Sequence, residues 1–256
     1  MKIVILAGGL GTRLAEETEI KPKPMVEIGG LPILWHIMKL YSHFNFNDFS
    51  IALGYKGNVI KHFFVDYCNL GADMTIHLEH GRIERHAHKS DNWKVHLIDT
   101  GLETMTGGRV KRLKSWIKDE TFMLTYGDGL GNIDIKALLK FHRAQGKIAT
   151  ITAVRPPSRF GGLEFKGNLV AEFSEKSQVG EGWINGGFMV FEPAIFKYLK
   201  NDRSVLEVDG LEALASAGQL AAFKHNGFWQ CMDTLRDKRF LEKMWNKKKA
   251  PWKVWH

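Results

Sequence analysis

The sequence KIVILAGGLGTRL, residues 2–14, joins an apolar run to a glycine-rich segment. The apolar run predicts a buried strand, because an uninterrupted series of mostly branched apolar residues is typical of a parallel sheet. Gly8, Gly9 and Gly11 then leave main-chain N–H groups that can approach anionic oxygens closely. Arg13 follows with a planar set of donors that matches phosphate. The stretch therefore predicts a strand of an α/β sheet that ends at a polyphosphate site.

A second cation, Lys23, lies between Pro22 and Pro24. Proline restricts its own backbone and that of the residue before it, so the ammonium group is presented in one place. A plain glycine-rich turn is the alternative to a phosphate loop. Lys23 and Arg13 together favour phosphate.

Two common phosphate loops are excluded by single positions. Leu14 stands where the dinucleotide-binding fingerprint needs its third glycine. The segment Gly11-Thr12-Arg13 stands where a P-loop needs Gly-Lys followed by Ser or Thr. The predicted loop is therefore of another kind.

The chain has 256 residues and a formal net charge of +8. Its length predicts one large domain over residues 1–256 with a full hydrophobic core. The positive charge suits an anionic partner, but the cations alternate with acids and form no stripe of the kind that binds nucleic acid. The four lysines of residues 246–256 suit a solvated tail about as well as a binding role.

The two cysteines, Cys68 and Cys231, allow at most one disulfide and predict a reducing compartment. Both lie in stretches that packing explains, and no G-x-S-x-G motif is present, so no covalent nucleophile is predicted. The apolar run at residues 3–7 is too short for a signal peptide, and no run approaches the roughly 18 apolar residues of a membrane span. We therefore expect a cytoplasmic protein that binds neither membrane nor nucleic acid.

Strand patterns alternate with helical patterns through the first half of the chain, which predicts an α/β, Rossmann-like fold with a mostly parallel mixed sheet flanked by helices. The second half adds β elaborations, including a hairpin that turns at Gly167 and Asn168. One helix has Asp134 as its N-cap and Gly146 past its end. The predicted strands are 2–7, 48–55, 74–80, 94–101, 121–129, 148–154, 183–193 and 220–226, and the predicted helices are 32–44, 58–68, 134–146, 194–200, 210–219 and 234–245.

Two aspartates stand where they could hold a metal ion. Asp128 ends a predicted strand between Gly127 and Gly129, and Asp233 precedes a predicted helix. Each has an ordinary alternative, a turn for Asp128 and a helix N-cap for Asp233. Together they could close one Mg²⁺ site against a triphosphate, because Mg²⁺ takes few protein ligands and keeps several waters.

Three polar segments suit a ligand surface, namely residues 100–109, 174–176 and 185–187. The last two lie near strand ends, and their Glu175, Lys176 and Asn185 suit a phosphorylated sugar. Amide and carboxylate groups bind sugar hydroxyls, and an ammonium binds phosphate. A polar surface without any ligand is the alternative for all three.

The histidine-rich segment HLEHGRIERHAH, residues 77–88, is interpreted as a surface or interface rather than a metal site. Strand alternation puts His77 and Glu79 on one face, but no helical histidine pair and no cysteine accompanies them.

Several of these segments resemble the family of sugar-1-phosphate nucleotidylyltransferases, and the resemblance covers nearly the whole chain. It is most specific to members that transfer a cytidylyl group from CTP to α-D-glucose 1-phosphate, which gives CDP-glucose and pyrophosphate. The segments are ILAGGLGTRL at 5–14, KPKPMVEIGGLPILWHIM at 21–38, LGYKGNVIK at 53–61, DTGLETMTGGRVKR at 99–112, TYGDG at 125–129, INGGF at 184–188, GFWQCMDTLRDK at 227–238 and KAPWKVW at 249–255.

The resemblance implies a GT-A-like nucleotidyltransferase fold, Mg²⁺ as cofactor and a homo-oligomer, expected to be a hexamer. It implies that CDP-glucose feeds 3,6-dideoxyhexose synthesis for bacterial surface polysaccharide, the O-antigen of lipopolysaccharide. It also implies an in-line attack of the sugar phosphate on the α-phosphorus without an enzyme base, since the nucleophile is already an anion.

Roles for particular residues follow from the same resemblance. The implied catalytic residues are Arg13, Lys23, Asp128 and Asp233, of which the two aspartates hold the metal. The residues implied to bind the nucleotide are Leu6, Ala7, Gly8, Gly9, Leu10, Gly11, Thr12, Arg13, Lys23, Thr104, Arg109 and Gly127. The residues implied to bind the sugar phosphate are Glu175, Lys176, Asn185 and Gly187.

Three positions depart from the family pattern. Ser177 follows Lys176 where proline is usual, Asp209-Gly210 replaces Glu-Pro, and Cys231 replaces proline. All three lie in the second half of the chain, on the side expected to bind the sugar. The sequence therefore specifies the acceptor less closely than it specifies the nucleotide. A nucleotidylyltransferase with another nucleotide or acceptor is one alternative, and a non-catalytic sugar-nucleotide-binding protein is another.

Overall fold

A computed structural model of the chain describes residues 1–11, 14–70, 73–86, 91–156, 162–166, 169–174 and 182–255. The strands are β1 Lys2–Ala7, β2 Glu27–Ile28, β3 Leu31–Pro32, β4 Asp48–Leu53, β5 Met74–His77, β6 Arg82–Arg85, β7 Lys94–Asp99, β8 Phe122–Tyr126, β9 Gly129–Gly131, β10 Ala149–Val154, β11 Gly162–Lys166, β12 Leu169–Ser174, β13 Ile184–Asn185, β14 Met189–Phe191, β15 Leu220–His225 and β16 Trp229–Cys231.

The α-helices are α1 Ala15–Thr18, α2 Ile33–His43, α3 Gly57–Leu70, α4 Thr106–Arg112, α5 Lys114–Ile117, α6 Ile135–Gln145, α7 Ala213–Ser216 and α8 Leu235–Asn246. Two 3₁₀ turns cover Lys23–Met25 and Pro193–Lys197. A π-helix covers Leu206–Glu212 and continues into α7.

The large sheet is parallel at its centre. β1 pairs in parallel with both β4 and β8, and β4 pairs in parallel with β7. Beyond β8 the sheet becomes mixed, because β14 runs antiparallel to β8 and to β10, while β15 runs parallel to β10. The predicted α/β fold with a mostly parallel mixed sheet is confirmed.

The side chains of the central strand β1 pack alternately into two hydrophobic cores, one on each face of the sheet. Ile3 and Ile5 pack with buried residues of α2, α6 and α8. Val4 and Leu6 pack with α4, α5 and the π-helix. Successive strand residues point to opposite faces, so this arrangement places helices on both sides of the sheet, as the sequence predicts.

Local signals predicted helix α6 well. Asp134 caps it by accepting a hydrogen bond from the Ala137 main-chain N–H at 2.8 Å. Gly146 follows it in the left-handed region, with φ of 57°. Helix α2 begins directly after Pro32, where the sequence also placed its start.

The strand predicted at 183–193 is broken into β13 and β14. Gly187 and Phe188 have φ of 76° and 42°, and two successive residues with positive φ cannot continue a strand. Both pieces pair with the same edge of β10, since β15 occupies its other edge throughout. The prediction of one continuous strand is therefore wrong.

Two predicted helices take other forms. The helix expected at 194–200 is a short 3₁₀ helix, Pro193–Lys197. The helix expected at 210–219 starts earlier, as the π-helix from Leu206. Its buried Leu206 and Leu211 are five residues apart, which matches the i, i+5 hydrogen bonding of a π turn.

Smaller corrections concern the strand predicted at 74–80 and the cysteines. The strand ends at His77, so His77 and Glu79 do not share a strand face. Cys68 is exposed on α3 rather than packed, and Cys231 is half-buried. The predicted hairpin is present as the antiparallel pair β11 and β12, while its turn at residues 167–168 lies outside the described residues.

The segment after α8 packs into the core. Trp252 is fully buried, and its indole N–H donates to His36 Nδ1 at 3.4 Å. The other ring nitrogen of His36 donates to the Ile28 carbonyl at 2.9 Å. Trp245 and Trp255 contact the same imidazole ring. The aromatic residues of this basic tail therefore pack within the chain.

Among the described residues, no helix combines the length and the apolar character that spanning a membrane requires.

Burial lowers the pKa of His36 from 6.5 to about 4. The unfolded chain therefore takes up this proton first as the pH falls. We expect His36 to remove about 3 kcal/mol from the free energy of unfolding between pH 6.5 and pH 4, with no further loss below that range. Urea unfolding of the wild type and of His36→Gln across this range measures the difference. Parallel stability curves for the two proteins would contradict the prediction.

Candidate active site

A cavity of about 530 Å³ opens at the carboxyl ends of β1 and β8. This is the edge at which ligands bind in open α/β sheets. All the described residues that the sequence assigned to the nucleotide line it, namely residues 6–11, Lys23, Thr104, Arg109 and Gly127. Asp128 lines it as well. Thr12 and Arg13, assigned to the same site, lie outside the described residues.

Lys23, Asp128 and Asp233 meet at one point beside this cavity. The Lys23 ammonium donates to Asp128 Oδ2 at 2.6 Å and to Asp233 Oδ1 at 2.5 Å. Burial disfavours the charged ammonium, but the two carboxylates outweigh burial and raise the pKa of Lys23. The three groups carry a net charge of −1 when all are ionised, so the cluster attracts a further cation.

The pairing of β9 with β16 brings the two aspartates together. Asp128 directly precedes β9, and Asp233 lies two residues after the end of β16. The two strands are antiparallel, and the Met232 N–H extends their ladder by donating to the Asp128 carbonyl at 2.8 Å. The sequence predicted the meeting of these aspartates, but not the short ladder that produces it.

Asp233 is not the N-cap of α8. That position belongs to Thr234, whose hydroxyl accepts from the Asp237 N–H while the Asp237 carboxylate accepts from the Thr234 N–H. This reciprocal capping box leaves Asp233 one residue outside the cap. The alternative interpretation of Asp233, as a helix N-cap, is therefore wrong.

The donor set at this point fits a hard cation. In the described ranges, no group of three or more His, Cys, Asp or Glu side chains is arranged to hold a metal ion, and two carboxylates meet at this point. Mg²⁺ is bound through one or two carboxylates and keeps several waters. The pair Asp128 and Asp233 already shares one cationic group, the ammonium of Lys23, which shows that both carboxylates face a common centre.

The three glycines of the first loop serve different purposes. A side chain at Gly8 would place its Cβ 2.3 Å from Arg109 Nη1, so this glycine makes room for Arg109. Gly11 has φ of +67°, which favours glycine on backbone grounds. A Cβ at Gly9 would meet nothing within 4 Å. Of the three, Gly9 thus presents the main chain most openly to the cavity.

Arg109 is buried, and its guanidinium group donates hydrogen bonds to other residues of the protein. Nη1 donates to the Leu53 carbonyl, the Thr100 hydroxyl and the Gly101 carbonyl at 3.0, 2.7 and 2.7 Å. Nη2 donates to the carbonyls of Gly8 and Leu102 at 3.0 and 3.1 Å. Arg109 therefore ties the loop after β1 to the loops after β4 and β7. It lines the cavity and also holds the cavity wall in place.

The sugar-phosphate residues are only partly described. Asn185 and Gly187 lie at the break between β13 and β14, where Asn185 Oδ1 accepts from the Gly187 N–H at 3.0 Å. A Cβ at Gly187 would stand 3.2 Å from the ring of Tyr126, which lines the cavity. Glu175 and Lys176 lie outside the described residues.

Tyr126 was missed by sequence reasoning. It ends β8, directly before Gly127 and Asp128, and that neighbourhood was the available signal. Burial, then the Glu207 carboxylate, raises the pKa of Tyr126, so its phenol stays protonated at neutral pH.

Cys231 is adjacent to the aspartates but is no nucleophile. Burial, with the negative charge of Asp233 and Asp128, raises the pKa of Cys231 to about 12. The thiolate is the reactive form of cysteine, and it is scarce at neutral pH under these conditions. This agrees with the absence of a nucleophile in the sequence analysis.

A glycine loop, a lysine and two aspartates lie together at the edge of a parallel sheet, an arrangement that suits a polyphosphate ligand. The sequence matches the family described as "Nucleotidyl transferase" over residues 2–237. The glucose-1-phosphate cytidylyltransferases of Salmonella typhimurium and Salmonella typhi are each 54% identical to this chain over 256 residues, with 100% of both chains covered. The probable glucose-1-phosphate cytidylyltransferase of Bacillus subtilis is 43% identical over the same full length. The chain therefore belongs to the glucose-1-phosphate cytidylyltransferase family, and the resemblance in its sequence is confirmed.

Solved structures support the fold. HddC from Yersinia pseudotuberculosis is 25% identical and superposes with a TM-score of 0.71, over 95% of this chain and 99% of that chain. A UDP-glucose pyrophosphorylase complexed with UDP-glucose is 17% identical, with a TM-score of 0.67 over 96% and 98% of the two chains. At 17% identity, the similarity to the UDP-glucose pyrophosphorylase shows a shared fold alone.

Replacement of Arg109 by methionine tests its role in the cavity wall. It removes the five hydrogen bonds that Arg109 donates to four main-chain carbonyls and the Thr100 hydroxyl, so we expect a loss of about 3 kcal/mol in the free energy of unfolding. Chemical denaturation measures this loss. Arg112→Met is the matched control, because Arg112 is exposed and its ion pair with Asp202 lies at the surface. Equal stability of the two variants would refute the structural role of Arg109.

Proposed function

We propose that this chain transfers a cytidylyl group from CTP to α-D-glucose 1-phosphate and releases CDP-glucose and pyrophosphate. The proposal is supported by two relatives named glucose-1-phosphate cytidylyltransferase, each 54% identical to this chain over the full length. The observation that carries it is the meeting of Lys23, Asp128 and Asp233 beside a cavity lined by the glycine loop.

In the proposed reaction an oxygen of the sugar phosphate forms a bond to the α-phosphorus of CTP. The bond from that phosphorus to the oxygen bridging to the β-phosphate breaks, and pyrophosphate leaves with the electron pair. Because the attacking phosphate is already an anion, no side chain has to remove a proton. The chain contributes orientation and compensation of negative charge.

The nucleotide is proposed to lie along residues 6–11, with its phosphates against Gly9 and Lys23. Thr12 and Arg13 stay predicted to bind it. Main-chain N–H groups of the open Gly9 region and the Lys23 ammonium offer donors to the phosphates. Thr104, Arg109 and Gly127 are proposed to form the remaining wall. Arg109 contributes there by holding that wall in place, given its contacts with main-chain carbonyls.

Nucleotidyl transferases typically work with a divalent metal ion. We propose Mg²⁺ here, held by Asp128 and Asp233, whose carboxylates are compact oxygen donors that face one point. When bound, the ion would neutralise charge that builds up on the phosphate oxygens.

The acceptor is proposed to lie on the side of Asn185 and Gly187, with Glu175 and Lys176 completing the site. Asn185 and Gly187 are adjacent to Tyr126, so this side continues from the wall of the cavity. The hexamer, the cytoplasmic location, the role in surface-polysaccharide synthesis and the single-domain assignment stay predictions.

A matrix of four nucleoside triphosphates against several sugar 1-phosphates tests the substrates. We expect pyrophosphate release to be fastest with CTP and glucose 1-phosphate, by about tenfold or more in kcat/KM over other pairs, because buried polar groups reject an unmatched base. Faster pyrophosphate release with dTTP or UTP than with CTP would show that the proposed nucleotide is wrong. Absence of release with every pair would favour a binding protein.

Conversion of either aspartate to asparagine tests the proposed metal site. We expect Asp128→Asn and Asp233→Asn each to lower kcat by about 100-fold or more while the circular dichroism spectrum stays native, because an amide is a weak ligand for Mg²⁺. Asp134→Asn is the control, since asparagine also caps a helix and Asp134 is exposed and is not part of the cavity lining. Near-normal kcat of both site variants at saturating Mg²⁺ would overturn the assignment.

A further inference from the structure

One wall of the cavity carries an unpaired carboxylate. The loop between β7 and α4 lines the cavity through residues 102–105. Glu103 of this loop is exposed, and among the described residues it accepts no hydrogen bond and forms no ion pair. The other acidic residue in the described lining is Asp128, which is bound to Lys23. The Glu103 carboxylate is therefore available to a ligand of the cavity.

The surroundings of Glu103 indicate which part of the nucleotide lies beside it. A carboxylate repels phosphate oxygens, whereas the Lys23 ammonium attracts them. Lys23 meets Asp128 just after β8, and Glu103 follows β7, which is three strand positions away in the sheet. At about 4.8 Å per position, the two strand ends are roughly 14 Å apart. We therefore expect the phosphates near Lys23 and the nucleoside near Glu103.

Apolar residues close to Glu103 suit the faces of a base. Leu102 and Met105 lie in the same loop, Leu10 lies in the glycine loop, and all three line the cavity. These residues are 55%, 46% and 55% exposed, respectively. Ligand pockets combine apolar walls with a few polar groups that fix orientation and specificity. A flat base with apolar faces and a polar edge matches this pattern, with Glu103 at the edge.

Cytosine and uracil differ along that edge. Cytosine presents an exocyclic amine at C4, which donates, and uracil presents a carbonyl oxygen there, which accepts. A hydroxyl such as that of Thr104 both donates and accepts, so it serves either base. The carbonyls of Gly101 and Leu102 already accept from Arg109. An ionised carboxylate only accepts, so Glu103 matches the amine of cytosine and opposes the oxygen of uracil.

We propose that Glu103 determines the choice of base by accepting a hydrogen bond from the exocyclic amine of cytosine. The inference rests on the proposed function, since it concerns the nucleotide of that reaction. With UTP the carboxylate faces a second acceptor, so both groups stay without a donor and the complex is weakened. The readout of this role is the ratio of kcat/KM between the two nucleotides, in which effects common to both cancel.

The variant Glu103→Gln keeps the size of the side chain and adds a donor beside the remaining acceptor oxygen. An amide pairs with either base, so we expect the ratio of kcat/KM for CTP over UTP to fall about tenfold or more, as for the loss of one hydrogen bond to a charged group. Steady-state kinetics at saturating glucose 1-phosphate measure the ratio, and thermal melting checks the fold. Glu212→Gln is the matched control, because Glu212 is exposed on the π-helix outside the cavity lining, and it should leave the ratio unchanged.

An unchanged ratio in Glu103→Gln would overturn the proposal. This includes the case in which kcat/KM rises equally for both nucleotides, because that result would show that Glu103 acts only by repelling the triphosphate. A wild type that releases pyrophosphate with no nucleotide, or faster with UTP than with CTP, would instead overturn the proposed function, and the role of Glu103 with it.

A CTP analogue that lacks the exocyclic amine, the triphosphate of the pyrimidin-2-one ribonucleoside, isolates the proposed hydrogen bond. The wild type should use the analogue about tenfold less well than CTP in kcat/KM. Glu103→Ala removes the acceptor altogether, so for this variant the difference between CTP and the analogue should shrink to less than about threefold. A difference as large in Glu103→Ala as in the wild type would show that the amine is recognised elsewhere and would refute the proposal.

Discussion

The shared ammonium of Lys23 is the interaction on which the site depends. Two carboxylates at one half-buried point repel each other, and burial adds a cost for each charge. Lys23 offsets both effects by donating to Asp128 and to Asp233. Its own place is secured by the 3₁₀ turn between Pro22 and Val26, in which Lys23, Pro24 and Met25 are buried. The site is thus assembled around a fixed cation. The 3₁₀ turn positions Lys23, and the pairing of β9 with β16 positions Asp128 and Asp233.

The sequence predicted those parts of the fold whose signals are local. Strand β1 follows from its apolar run, and α6 follows from Asp134 and Gly146 at its ends. The break between β13 and β14 was not predictable from the pattern of side chains, because it arises from positive φ angles at Gly187 and Phe188. The pairing of β9 with β16 was equally hidden, since strands of three residues carry almost no periodic signal.

The candidate site shows the same division between local and long-range causes. The glycines of the first loop were interpreted as bare backbone for a phosphate, yet the absence of a side chain at Gly8 is required by Arg109, which lies 101 residues further along the chain. No pattern around Gly8 carries that information. The hydrogen bonds of Glu207 were not predictable for a related reason, because only the folded chain brings its two hydroxyl partners, Tyr126 and Thr106, to it.

The spacing of the three central residues along the chain has a consequence for biosynthesis. Lys23 is 105 residues from Asp128 and 210 residues from Asp233. At the pace of translation, roughly 5–20 residues per second, roughly 10–40 s separate the synthesis of Lys23 from that of Asp233. A nascent polypeptide on the ribosome therefore cannot bring Lys23, Asp128 and Asp233 together until β16 has been synthesised and has paired with β9.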